Sequence, residues 1–338
     1  MGTKLNSSMA IHRLDLDLHL PASDNPVKTI LTHCHRRVKK FLAEYGPCPS
    51  LGQLLDLLAN KLGTTIVEIE TDKQLEKLQI EYVGRGESIF ATLDQEFADD
   101  DTYGITLKLQ DPAAWEQPYI SIIDSRGRKR QRRYHTKWHE LGHLLILTDQ
   151  TRFAFRRSHD PAHPKSAEES VVDSIAGELS FYRPLVAPHL TGVVSFERIE
   201  QMRAALCPEA SMYSAVLNIA KLWPTPCIWV EARLAAKKSE ENTLQQSFGF
   251  REQPQRALRA VHANANDAAR ELGLGVIPRF RIPQRSVITR VFETGLCGEA
   301  QEDLSWWESS DGTRLAEYKV KVQAKQIGDT IHALITPN

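Results

Sequence analysis

The chain has 338 residues, 41% of them hydrophobic and 25% charged, with a formal net charge of −1. That is the composition of a folded globular protein of about two domains, and a balance this near neutral gives no overall attraction to polyanions. No run of about 18 apolar residues is available for a membrane span. The N-terminal stretch MGTKLNSSMAIHRLDLDLHL has no secretory-signal layout, and Asn6 stands where a myristoylation signal takes Ser or Thr. The five cysteines, Cys34, Cys48, Cys207, Cys227 and Cys297, form no CxxC pair, which argues against a disulfide framework and against a cysteine-based zinc site. A cytoplasmic protein without a membrane partner is expected.

In chain order, residues 1–25 read as a polar tail ending in the breaker cluster PASDNP. From Pro26 to about Lys61, spaced apolar residues fit two helices split by GPCPS. GTTIVEIE (63–70), GITLKLQ (104–110) and YISIIDS (119–125) read as strands. The basic run from Arg126 to Arg133 and the HELGHLLIL that follows read as one helix of about five turns ending near Thr148-Asp149. Another helix is expected over Ser166–Phe181, with Pro184 and Pro188 beyond it, then a helix pair at 196–206 and 212–223 joined by CPEAS, and a helix over Gln253–Leu272. The last 60 or so residues, VIPRFRIP, SVITRVFE, LSWWES, RLAEYKVKVQA and TIHALIT, read as short strands with hairpin signals at SSDG and IGDT. The expectation is an α+β chain: a first domain at 26–190 that carries the HELGH segment, a helical and helix-turn-helix-like segment at 191–275, and an antiparallel β-rich domain at 276–338.

RRYHTKWHELGHLL (132–145) carries the chemistry. Histidines at i and i+4 of a helix lie on one face, about 6 Å apart along the axis, so His139 and His143 can reach one zinc ion. Glu140 is placed to act as general base on a water at that ion. His135 lies about 12 Å along the axis from His143 and cannot share the ion with both; a substrate-side role is open to it. Gly142 permits another element to approach closely, and Leu144, Leu145 and Ile146 are expected to pack inward. The helix AEESVVDSIAGEL (167–179) offers Glu168, Glu169, Asp173 and Glu178 as a third ligand, and helical geometry does not choose among them.

These residues resemble the ImmA/IrrE-like zinc metallopeptidases. The family pattern is a strand, arginines, a helix reading Arg-Phe-Thr-x-Ala-His-Glu-Leu-Gly-His, and a helix reading Glu-x-x-Ala-Asn-x-Phe-Ala-x-Glu-Leu, often followed by proline. Here YISIIDS, Arg132-Arg133, HTKWHELGH, ESVVDSIAGEL and Pro184 stand in that order. The likeness spans about residues 28–190. Asp173 replaces the usual Asn, His135 a usual aromatic residue, and Trp138 a usual alanine. The resemblance implies a helical gluzincin-like core with a small sheet, Glu169 as third ligand, zinc as the cofactor with manganese as a second choice, and cleavage of a helix-turn-helix repressor in a stress, DNA-damage or mobile-element response. It also implies a helical segment and a sensor-like domain after the protease.

RGRKRQRR (126–133) holds six cations. Arg132, Arg133 and His135 are candidate substrate or nucleic-acid contacts, set against an ordinary solvated helix start. Tyr134, His163 and Tyr182 are candidate oxyanion stabilisers. Of the Trp306-Trp307 pair, one indole is expected in the core while the other could stack a base. Two other readings fit the same residues: a non-catalytic regulator that senses a ligand or nucleic acid, and a toxin–antitoxin component that keeps the protease fold.

Overall fold

The computed structural model describes residues 11, 14, 16–147, 154–157 (as backbone), 167–236, 256–309 and 312–338. The chain is α+β and divides into two compact units, Met1–Leu185 with Leu206–Ser211, and Val186–Ala205 with Met212–Asn338. No helix among the described residues is long and apolar enough to cross a membrane.

In the first unit, helices α1 (Pro26–Tyr45) and α2 (Leu51–Lys61) fall on either side of GPCPS, as expected. Asn25 and Ser50 cap them by accepting from the amides of Lys28 and Gln53, which satisfies donors that the first turn leaves open. Strand β1 (Thr64–Ile69) leads to two helices the sequence reading passed over, α3 (Asp72–Gly84) and α4 (Leu93–Ala98). Helix α3 starts on a capping box between Thr71 and Gln74 but buries only Leu75 and Leu78, so its apolar period is faint. Strands β2 (Gly104–Lys108) and β3 (Tyr119–Asp124) follow as expected, and β4 (Ala154–Arg157) completes a sheet of order β1-β3-β2-β4. β1 and β3 are parallel, and the other two pairings are antiparallel.

Helix α5 (Arg133–Leu145) is shorter than the five turns expected. The basic run before it is a 3-10 segment, Gly127–Arg132, and not the first turns of an α-helix. Lys129 explains the change: its buried ammonium donates to the Phe97 and Asp99 carbonyls and to Asp124 Oδ2, holding the segment against the sheet. The helix ends at Leu145, whose carbonyl accepts from the Arg37 guanidinium, while Thr148 and Asp149 lie outside the described residues. Helix α6 (Ala167–Leu179) packs along α5. Gly142 makes this approach feasible, because a Cβ there would lie 3.0 Å from Val172 Cγ1 and 3.4 Å from the Val172 carbonyl oxygen.

The second unit holds helices α7 (Phe196–Leu206, its last residue in the first unit) and α8 (Met212–Leu222), both where expected. Ala215, Val216, Ile219 and Ala220 of α8 are buried, so that face serves packing. The sheet is β6-β5-β9-β8-β7, antiparallel throughout, from β5 (Ile228–Ala235), β6 (Ala257–Ala265), β7 (Gly298–Asp303), β8 (Lys319–Ile327) and β9 (Thr330–Pro337). Several expectations are corrected here. Residues 257–265, expected as helix, are strand β6, with only Asp267–Glu271 (α9) helical after it. Since β9 pairs with β5, the β-rich fold does not start at 276 but takes strands from 228 onward. SVITRVFE is not a strand: Val287–Thr294 is helix α10, capped by Ser286 and ended by Gly295 at φ 71. Its β-branched residues Val287, Ile288 and Val291 are buried at helical spacing, so packing overrides strand propensity. LSWWES contributes a 3-10 turn, Leu304–Trp306, and a bridge at Glu308. VIPRFRIP contributes only a bridge at Arg281. IGDT does turn β8 into β9, whereas residues 310–311 of SSDG lie outside the described residues.

Within this sheet His332 is fully buried. Its Nδ1 accepts from the Trp229 indole at 3.0 Å, and its Nε2 meets Thr330 Oγ1 at 3.0 Å. The cross-strand neighbours are Glu231, which accepts from the Tyr213 hydroxyl, and Lys325. Burial holds the imidazole at a pKa of about 4, below its ordinary 6.5. The folded state therefore favours the neutral ring, and the unfolded chain binds the extra proton between those values. Stability from this group is complete above about pH 6.5 and falls by about 3 kcal/mol as pH drops to about 4. Urea unfolding at pH 7 and pH 4.5 should show a loss in the wild type that His332→Gln lacks; equal losses in both refute the assignment.

Candidate metal centre

Helix α5 lies across the sheet with its 139–143 turn against α6, and both helices contribute donors. His139 Nε2 lies 3.2 Å from Glu169 Oε2, and His143 Nε2 lies 3.3 Å from Glu169 Oε1. One donor atom from each of His139, His143 and Glu169 falls within 4.8 Å of the others, so this group could hold a metal ion. The two imidazoles are buried and stand edge to face, 4.9 Å between centroids. Of the four carboxylates on α6 that the sequence left open, Glu169 is thus the one that faces both histidines. Glu178 instead meets His35, at 3.6 Å.

Two carboxylates without an assigned role also reach the site. Asp173 Oδ1 is 3.3 Å from His139 Nε2, and Glu168 Oε1 is 3.5 Å from His143 Nδ1. Burial pushes the His143 pKa down, yet Glu168 and Glu169 outweigh it and hold the imidazole up at about 9. Burial acts the other way on Glu169, but the two imidazoles keep its carboxyl well below the usual range. The donor set, two imidazoles and a carboxylate, fits a divalent cation, whose charge would take the place of the positive charge that the carboxylates around His143 already favour. Glu168 on the far nitrogen of His143 has the place of a partner that fixes the tautomer of a ligating histidine.

Glu140 is fully buried beside these donors, with Oε1 3.8 Å from His139 Nδ1. The sheet grips the other oxygen: Thr106 Oγ1 donates to Glu140 Oε2 at 2.7 Å. Thr106 Oγ1 in turn meets Ser121 Oγ at 2.8 Å, and Ser121 Oγ meets Thr64 Oγ1 at 2.9 Å. All three hydroxyls are buried. Each has a single proton, so once Thr106 donates to the carboxylate, Ser121 donates to Thr106 and Thr64 to Ser121. Gly104, two residues before Thr106, lies over the same carboxylate, and a Cβ there would stand 2.8 Å from Glu140 Oε1 and 2.7 Å from Thr136 Cγ2. Sequence reasoning missed these partners. The alternation in GITLKLQ points Gly104 and Thr106 to one face of the strand, but nothing local says that the face meets Glu140.

The remaining candidates are placed as follows. Trp138 is fully buried, with the Tyr134 ring edge-on at 6.3 Å. Tyr134 donates its hydroxyl to the Ser180 carbonyl at 2.6 Å, which commits it to structure. Tyr182 stacks on His35, and His163 lies outside the described residues. His135 is half-buried and outside the ligand cluster. In the basic run, Arg126 pairs with Asp124 and Asp72, Lys129 with Asp124, Arg130 with Glu70, and Arg133 with Glu68 and Glu70. Arg132 lies over the Tyr103 ring at 4.8 Å. The run is thus largely matched by carboxylates of its own unit. No protein-family model matches the chain, and no curated protein matches its sequence.

Proposed function

We propose that the chain is a zinc-dependent regulatory endopeptidase with a gluzincin-like core, and that it cleaves a protein, a helix-turn-helix transcriptional repressor by the resemblance of its two site helices to the ImmA/IrrE-like enzymes. The observation that carries the reading is the Glu140 carboxylate, buried next to the His139, His143 and Glu169 donors and oriented by Thr106. A purely structural metal site has no use for such a group.

His139, His143 and Glu169 would hold the ion, zinc or alternatively manganese, which when bound supplies Lewis-acid polarisation of the scissile carbonyl. Thr106 occupies Oε2 of Glu140, which leaves Oε1 as the oxygen that accepts the proton of the attacking water. The same oxygen then delivers that proton to the leaving amine, the ordinary cycle of a carboxylate acting as base and then acid. Glu168, Glu169 and Asp173 are partly exposed while both histidines are covered, so substrate reaches the site from the α6 side. The pairing within the basic run favours a positioning role for Arg133 over nucleic-acid contact.

The test is incubation of purified protein and zinc with the helix-turn-helix repressor encoded nearest to it, read by mass spectrometry. Glu140→Gln should lower the cleavage rate on the order of 10²–10⁴-fold, the usual worth of a general base. Unchanged cleavage by Glu140→Gln would sink the mechanism, and stoichiometric binding without any cut would favour a non-catalytic regulator.

A further inference from the structure

The pair Trp306-Trp307 divides in the second unit. Trp307 is fully buried in the core, whereas Trp306 is half-buried and carries the Arg285 guanidinium over its ring, 3.8 Å from the centroid. Trp306 and Arg285 line a cavity of about 840 Å³, together with Arg256 and Arg281. That volume is in the range of small-molecule sites.

Several arginines of the chain are neutralised by carboxylates. Arg85, Arg126, Arg133, Arg270 and Arg314 each have a carboxylate partner. Arg256, Arg281 and Arg285 are exposed, and among the described residues no carboxylate lies within ion-pair distance of them, although Arg285 acts on the buried Glu302 from further away. Two carboxylates also line the cavity: Glu308 is taken by Arg314 at 3.1 Å, and Glu293 is exposed. Backbone structure fixes two of the arginines. Arg281 bridges Arg259 of β6 to Glu308, and Arg285 directly precedes Ser286, the cap of α10. The apolar part of the wall includes Leu234 and Phe292, large side chains left 48% and 41% exposed.

Arginines converging on a half-apolar cavity with an indole and a guanidinium stacked in its wall match a ligand that is planar at one end and anionic at the other. We propose that this cavity binds a nucleotide, its base added to the Trp306–Arg285 stack and its phosphate held by Arg256 and Arg281, whether the nucleotide is free or ends a nucleic-acid strand. Guanidinium forks suit phosphate oxygens, and aromatic faces accept any base. The site is independent of the metal centre, so the failure of one reading leaves the other standing.

Isothermal titration of the full chain with AMP, adenosine, inorganic phosphate and a short oligothymidylate tests it. AMP should bind more tightly than adenosine or phosphate, and Arg285→Ala or Trp306→Leu should weaken it at least about tenfold, the loss of one stacking contact. Thermal unfolding of both variants should stay close to that of the wild type, because neither side chain is in the core. Tighter binding of the oligothymidylate than of AMP assigns the site to nucleic-acid strands, and the reverse assigns it to free nucleotides. The proposal is overturned if neither AMP nor the oligomer binds at about 1 mM, if phosphate alone binds as well as AMP, or if both variants bind like the wild type.

Discussion

Glu169→Ala should remove stoichiometric metal binding, while Glu140→Gln should bind metal within a few-fold of the wild type. The difference follows from where the two carboxylates point. Glu169 presents one oxygen to His139 Nε2 and the other to His143 Nε2, so its loss removes the one carboxylate that faces both imidazoles and leaves Asp173 beside His139 alone. Loss of a partner that only orients a ligand costs about 10–100-fold in affinity, and loss of the ligand itself should exceed about 100-fold. Glu140 touches the sheet hydroxyls instead, and the amide of Gln preserves its shape. Competition against a chromophoric chelator measures both affinities. At metal concentrations about a thousand times the wild-type dissociation constant, wild type and Glu140→Gln should also gain about 4 kcal/mol against unfolding, and Glu169→Ala should gain less than about 1.5 kcal/mol. Equal affinity in wild type and Glu169→Ala would remove Glu169 from the ligand set.

Gly104→Ala should damage the protein more than an exposed glycine substitution does. The added methyl would stand 2.7 Å from Thr136 Cγ2 and 2.8 Å from Glu140 Oε1, and neither neighbour yields readily. Thr136 is buried with its hydroxyl on the Arg132 carbonyl, and Glu140 is held by Thr106. Overpacking of this kind costs about 1–3 kcal/mol, and the displaced atom is the oxygen assigned to the proton. Thr106→Val tests the other hold. It keeps the side-chain shape but leaves a buried carboxylate oxygen and the Ser121 hydroxyl short of a partner, at a cost of about 1–3 kcal/mol or more for a charged acceptor, while Thr106→Ser should restore most of it. Urea unfolding reads the stability, and repressor cleavage the activity. A Gly104→Ala variant as stable and as active as the wild type would show that the strand does not clamp the carboxylate.

The first unit was legible where one residue type repeats at one period. His139, Glu140 and His143 declare themselves by helical spacing, and the 64–69, 104–108 and 119–124 strands by β-branched runs. The third donor was not fixed by geometry on paper, because Glu168 and Glu169 flank the same apolar face; in the packed pair of helices Glu169 meets the Nε2 atoms of both histidines and Glu168 the Nδ1 of His143 alone. The hydroxyl chain was invisible for a different reason: Thr64, Thr106 and Ser121 are distant in sequence and ordinary in type. In the second unit, local propensity pointed the wrong way twice. ALRAVHANA is rich in alanine and pairs as β6, while SVITRVFE is rich in β-branched residues and winds as α10, each decided by neighbours contributed from elsewhere in the chain. The basic run looked like a free surface because the carboxylates that engage it, Glu68, Glu70, Asp72 and Asp124, lie on or just beyond strands β1 and β3.

Gly104 and Thr106 reach Glu140 from alternate positions of one strand, and Thr106 faces Ser121 across the ladder. A slip of β2 by one residue would turn both away and bring Ile105 to the carboxylate in their place. Chains that mispair this sheet would therefore lose the hold on the Glu140 carboxylate even when the helix with His139 and His143 has formed. If the chain is the endopeptidase proposed above, misassembled molecules would be inert rather than partly active.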